Sequence, residues 1–126
     1  MKVIENYKTA LENSDEYLFK QVFAPQVRVE IPAGAIFDQP ANAASFQLSQ
    51  VAKTAPGIRC TLSADGGNNW HLLAFEGELE GQKLQAVDQV HLDKDAKIDH
   101  IVIYMRPTPV AQKFAVAISQ RLQPTR

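Results

Sequence analysis

The chain has a single cysteine, Cys60, so no disulfide can form within it. The expectation is a reducing compartment and a cytoplasmic protein. Long apolar runs are missing. The opening stretch MKVIENYKTALEN interrupts its apolar residues with charges every few positions. Neither a secretory leader nor a membrane span is expected from such a pattern. Charge of one sign is missing too. Thirteen basic residues face fourteen acidic ones, for a formal net charge of −1. No basic block is long enough to track a phosphate backbone, so nucleic acid is not an expected partner. Nucleophile-elbow, phosphate-loop and dinucleotide fingerprints are absent, and no cofactor is expected. The three histidines, His71, His91 and His100, stand at no metal-ligand spacing, and no metal is expected.

What is present fits one ordinary domain over residues 1–126, with 45% hydrophobic and 21% charged residues. Val3, Ile4, Tyr7 and Leu11 share one face of a helix over residues 2–12, closed by Asn13. Ser14 is the expected N-cap of a second helix that buries Leu18, Phe19, Val22 and Phe23 and stops before Pro25. Residues 26–32 alternate with period two, placing Val27, Val29 and Ile31 on one face and Arg28 and Glu30 on the other. A brief return strand at 35–37 precedes a helix over 41–55 that Pro40 opens. Strands follow at 58–64, 70–79, 82–92 and 97–106, with a turn signal at 65–69. Val110, Phe114, Ile118 and Leu122 recur every four residues in a C-terminal amphipathic helix. The expected architecture is α+β, with helices packed on the concave face of a curved antiparallel or mixed sheet.

The hairpin turns let side chains be assigned to faces. A two-residue turn at Glu80-Gly81 pairs Leu73 with Asp88 and Phe75 with Ala86. A turn at 93–96 pairs Asp88 with Ile101, Ala86 with Ile103 and Leu84 with Met105. One face then carries Leu73, Phe75, Leu84, Ala86, Val90, Ile101, Ile103 and Met105, with Asp88 as its lone carboxylate and His71 toward one end. A carboxylate among apolar groups is expensive to ionise, so its pKa should rise, which makes Asp88 a candidate functional group. The other face carries Leu72, Val87, Gln89, His91, His100, Val102 and Tyr104. Its mixed character suits a homodimer contact through the outer sheet face. Trp70 points outward, and Cys60 reads as a small buried hydrophobe.

The segments YKTALENSD, FAPQVRVEIPAG and VDQVHLDKDAKIDHIVIYMRP resemble the nuclear transport factor 2-like superfamily, and within it the SnoaL-like proteins. The resemblance implies a cone-shaped α+β fold. The superfamily holds isomerases, cyclases and dehydratases as well as binding and scaffold proteins, so fold does not choose among them. Its ketosteroid isomerases use a catalytic Asp base with an oxyanion hole made of a Tyr and a protonated Asp. The resemblance puts Tyr7 at the oxyanion Tyr and Asp88 at the protonated Asp. The base should lie in VEIPAG, where this sequence has Ile31, which takes no proton.

Substitute bases are His71, Asp38 and, facing away, Glu30. The expected site therefore has Tyr7, Asp88 and His71 as reactive groups. Phe19, Phe23, Ile31, Leu73, Phe75, Ile101, Ile103 and Met105 line an apolar pocket for a small hydrophobic ligand with one oxygen to grip. Two readings follow. One is an isomerase, cyclase or dehydratase acting on a hydrophobic carbonyl compound through the Tyr/Asp pair. The other is a non-catalytic ligand-binding or dimeric interaction module.

Overall fold

The computed structural model describes residues 2–122. In chain order the elements are α1 (Lys2–Asn13), α2 (Glu16–Val22), β1 (Phe23–Glu30), β2 (Ile36–Pro40), α3 (Ala41–Thr54), β3 (Arg59–Gly67), β4 (Trp70–Leu79), β5 (Gln82–Leu92), β6 (Ile98–Arg106) and α4 (Thr108–Leu122). The six strands form one sheet in the order β2-β1-β6-β5-β4-β3. Strands β1 and β6 run parallel and every other neighbouring pair is antiparallel. The architecture is α+β with a mixed curved sheet that does not close into a barrel. One continuous apolar cluster joins the inner face of the sheet to α1, α2, α3 and α4.

Local chemistry accounts for most element ends. Asp15, not Ser14, caps α2: its Oδ1 accepts the Leu18 N–H at 3.1 Å, while Ser14 sits at φ 54° between the helices. The helix ends at Val22, and Phe23 both caps it, its N–H donating to Phe19 O, and opens β1. Pro25 falls within β1 between the two stretches that ladder with β6, Phe23 and Arg28–Glu30, where a missing N–H costs no ladder bond. Pro40 is the N-cap residue of α3, as its fixed φ of −67° suits. Strand β3 runs on to Gly67, and the turn tightens to Asn68-Asn69, both at positive φ.

The β4–β5 hairpin has the expected register. Glu80 and Gly81 both take positive φ, and Leu73 pairs with Asp88 and Phe75 with Ala86. The β5–β6 register differs by two residues. Asp88 pairs with Ile103, Ala86 with Met105 and Val90 with Ile101. Two separate insertions produce the shift. The loop is one residue longer than expected: Asp93 N–H donates to Lys97 O at 2.8 Å, and Asp93 Oδ1 accepts from the N–H groups of Asp95 and Lys97. A bulge then leaves Asp99 without a partner between Leu92↔Ile98 and His91↔His100. Two single-residue shifts preserve the alternation, so every residue assigned to the inner face stays there. The bulge also allows Ile98 and Ile101, three residues apart, both to be fully buried.

Candidate functional site

Tyr7 is delivered by the apolar face of α1, with Ile4, Ala10 and Leu11 buried beside it. The helix is tied to the sheet by Glu12, whose carboxylate accepts the Cys60 N–H at 2.9 Å. Phe19 meets the Tyr7 ring edge-on at 5.8 Å, and Phe23 packs on Phe19 at 5.6 Å. The Tyr7 hydroxyl is thereby aimed at the inner face of the sheet. It donates to Asp88 Oδ2 at 2.6 Å. The two residues are 81 positions apart and both buried, with Tyr7 at 0% and Asp88 at 4% exposure.

The electrostatics follow from that burial. Asp88 is pushed up to about 7 by loss of solvation, and the hydrogen bond from Tyr7 partly opposes the rise. Burial first, then the neighbouring Asp88 charge and the shared hydrogen bond, raise the Tyr7 phenol well above its usual value. The pair therefore holds a neutral phenol and a carboxyl group poised near neutrality. Asp88 Oδ1 makes no hydrogen bond among the described residues, so once protonated the carboxyl can donate to a third oxygen.

The residues expected to line a pocket divide into two groups. Phe19, Leu73, Phe75 and Ile101 are buried to within 1% in the same core cluster as Tyr7, and Phe23 lies at its margin. Ile31, Ile103 and Met105 border a cavity of about 400 Å³ with Pro32, Ala33 and Ala111. A second cavity of about 340 Å³ lies between Ile31, Phe37, Ile118 and Leu122. Neither includes Tyr7 or Asp88 among its walls.

Two of the proposed bases, Glu30 and Asp38, sit elsewhere. Glu30 Oε2 contacts His100 Nε2 at 2.6 Å and Arg28 at 3.7 Å on the outer face. Asp38, two-thirds exposed, pairs with Arg28 at 3.8 Å across the β1–β2 ladder. His71 is opposite Val90 on the inner-face side, two residues along β4 from the partner of Asp88, and makes no side-chain hydrogen bond among the described residues. Cys60 is half-buried, and burial pushes its thiol up, away from thiolate chemistry. Ile31 is 6% exposed and offers no proton acceptor.

A second cluster, on the outer face, was not singled out in the sequence. Trp70, His91 and His100 share one cross-strand row, extended by Arg28 and Asp38. The Trp70 ring lies 4.8 Å from the His91 ring and 5.3 Å from the His100 ring. His91 Nδ1 contacts Asp99 Oδ1 at 2.7 Å, an approach that the bulge at Asp99 allows. Trp70 is the sole tryptophan.

No protein-family model matches the chain, and no curated protein matches it in sequence. Solved structures do match. An uncharacterized bacterial protein with a cystatin-like fold from Silicibacter pomeroyi has a TM-score of 0.88 at 19% identity, covering 94% of this chain and 84% of its own. A steroid delta-isomerase from Pseudomonas aeruginosa has a TM-score of 0.85 at 17% identity, covering 96% and 89%. The fold is nuclear transport factor 2-like. An epoxide hydrolase/cyclase-like enzyme of polyether pyran-ring formation shares the fold, with a TM-score of 0.67 at 19% identity over 85% and 90% of the two chains. At these identities the likeness establishes the nuclear transport factor 2-like fold and leaves chemistry to be argued from the residues.

Proposed function

We propose that the protein binds a small, largely apolar carbonyl compound and that Asp88, held by Tyr7, grips the carbonyl oxygen. The observation that carries this reading is the 2.6 Å bond between a fully buried tyrosine and a carboxyl group raised to about 7. Asp88 Oδ1 makes no hydrogen bond among the described residues and is not sealed from solvent, so it is open to a further partner. Neutral Asp88 would donate from Oδ1, with Tyr7 positioning and tuning it from behind. Isomerase and cyclase-like enzymes among the structural neighbours are in keeping with chemistry at a carbonyl or epoxide oxygen. The reaction best suited to these residues is acid-assisted opening, closure or dehydration: Ile31, Glu30 and Asp38 provide no base on the inner face, and His71, opposite Val90, is the candidate that remains there.

The test is a titration with 2-naphthol, whose fluorescence reports its ionisation state, alongside a turnover panel of enones, polyketides and epoxides. Asp88→Asn and Tyr7→Phe should each weaken naphthol binding about tenfold to a hundredfold, the range for a buried hydrogen bond to an ionisable group. Binding that survives both substitutions unchanged would remove the pair from the site. Binding without turnover across the panel is the outcome that Ile31 in place of a carboxylate base favours. It would make the protein a carrier or sensor rather than an enzyme.

The outer sheet face supports a homodimer reading. Leu62, Leu72, Val87 and Tyr104 expose apolar surface there, at 62%, 39%, 37% and 54%. The Trp70–His91–His100 row lies at one end of this band and the Arg59–Glu76–Gln85–Arg106 row at the other. An apolar centre with a polar rim is the composition of a protein–protein contact. Light scattering should give twice the chain mass for the wild type and the single mass for Val87→Glu. A monomeric wild type at about 100 μM would refute the contact.

A further inference from the structure

Tyr7 is fully buried and Asp88 is 4% exposed, with its unbonded Oδ1 touching solvent, so water meets the carboxyl but a ligand larger than water reaches it only if the opening widens. Helix α4 is the element placed to widen it. It is the last described element and follows β6 directly, with the Pro107 carbonyl accepting the N–H groups of Val110 and Ala111 at 3.0 Å. Its inner side is apolar, with Val110, Ala111, Phe114 and Ile118 buried. Among the described residues, one side-chain hydrogen bond joins α4 to another element, from Lys113 Nζ to Gln82 Oε1 at 3.0 Å, and it is exposed. The helix is thus held by apolar contact, which is non-directional, while the strands beneath it are fixed by ladders.

The cavities fall along the same helix. Ala111 forms part of the wall of the 400 Å³ cavity and Ile118 part of the 340 Å³ one, and Ile31 borders both. Ile103, on the wall of the first, is the cross-strand partner of Asp88 on the inner face. Two open clefts therefore lie along α4, and the first is bordered by an immediate neighbour of Asp88. We propose that α4 is a lid, hinged at Pro107 after β6, and that ligand reaches Asp88 by passing beneath it. The proposal concerns access to the Asp88 site and rests on the ligand-binding reading for its purpose, while its motion can be measured without any ligand.

In a Cys60→Ser background, Ile118→Cys reports exposure of the inner side of α4, and Leu11→Cys reports exposure of α1. Both positions are at most 3% exposed. With Ellman's reagent, Ile118→Cys should label at least tenfold faster than Leu11→Cys, with a rate that rises only shallowly with urea. Equal rates with equal, steep urea dependence would mean that α4 opens only with the whole fold, and would overturn the lid. Amide exchange of the unsubstituted chain makes the same comparison between α4 and α1 if either variant fails to fold. For the route, Gln82→Cys and Lys113→Cys are joined by a two-carbon bismaleimide in the Cys60→Ser background. Bridging should slow 2-naphthol association at least tenfold, and an unchanged association rate would overturn the route. If neither the bridged nor the unbridged chain binds naphthol while Ile118→Cys labels fast, the ligand reading fails and the lid motion stands.

Discussion

Between pH 4 and pH 8 the protein will lose roughly 4 kcal/mol of stability that the Asp88→Asn variant does not lose. The cause is the carboxyl group raised from its usual value to about 7 by burial. A group whose folded pKa lies above its unfolded one binds its proton more tightly in the folded state. Raising the pH from about 4, the unfolded carboxyl value, to about 7 therefore favours the unfolded chain. Above about 7 both states are ionised at this position and the penalty becomes constant. The variant carries an amide that does not titrate, so subtracting its profile from that of the wild type isolates Asp88 from the other carboxylates and the histidines. At the acid end the variant should be the less stable protein, because its buried amide N–H groups need acceptors. The two curves should converge or cross as the pH rises. Urea unfolding at steps between pH 4 and pH 8 measures the difference directly. Parallel profiles would show that Asp88 is solvated or fully ionised when folded.

Tyr7→Phe should cost about 2 kcal/mol at pH 5 and more than about 3 kcal/mol at pH 8. At pH 5 Asp88 is neutral and loses an ordinary buried hydrogen bond. At pH 8 it is ionised and loses a charge-assisted one, its sole bond among the described residues. The same loss removes the one influence that lowers the Asp88 pKa, so the steep part of the stability profile should move upward from about 7. Ring packing is largely kept, because phenylalanine can occupy the same edge-on position against Phe19. Combined with Asp88→Asn in a double-mutant cycle, the pair should show a coupling of about 1–3 kcal/mol, largest at alkaline pH. Additive effects would mean that the hydroxyl and the carboxyl do not share a bond. A Tyr7→Phe cost independent of pH would mean that the bond is made equally to both protonation states.

How far the sequence revealed this arrangement depended on how local each determinant was. The β4–β5 register was legible because Glu80-Gly81 permits only a two-residue turn, and that alone sets Leu73 against Asp88. The β5–β6 register was not, because a loop residue and a bulge residue each added one position, and no composition signal marks Asp99 as unpaired. Face assignment survived because two shifts of one restore the alternation. The parallel contact between β1 and β6 joins segments about seventy residues apart, and nothing local in either strand specifies it.

Within the site, Asp88 stood out as a carboxylate on an apolar face, but its partner Tyr7 came from α1, far away in sequence, and from likeness to known enzymes. The closed packing of Phe19, Leu73, Phe75 and Ile101 depends on how side-chain volumes interlock, which periodicity does not encode. The outer cluster of Trp70, His91 and His100 was visible as face membership. Its carboxylate partners Asp99 and Glu30 required the bulge and the parallel strand to be known first.

A carbon-13 NMR titration of aspartate-labelled protein, followed at the side-chain carboxyl carbons, measures the protonation of Asp88 itself. One carboxyl resonance should titrate near pH 7 and should be missing from the Asp88→Asn spectrum. In Tyr7→Phe the same resonance should titrate at a higher pH. If every aspartate carboxyl instead titrates in the ordinary range near pH 4, Asp88 is not the buried, neutral-poised group on which the proposed grip depends.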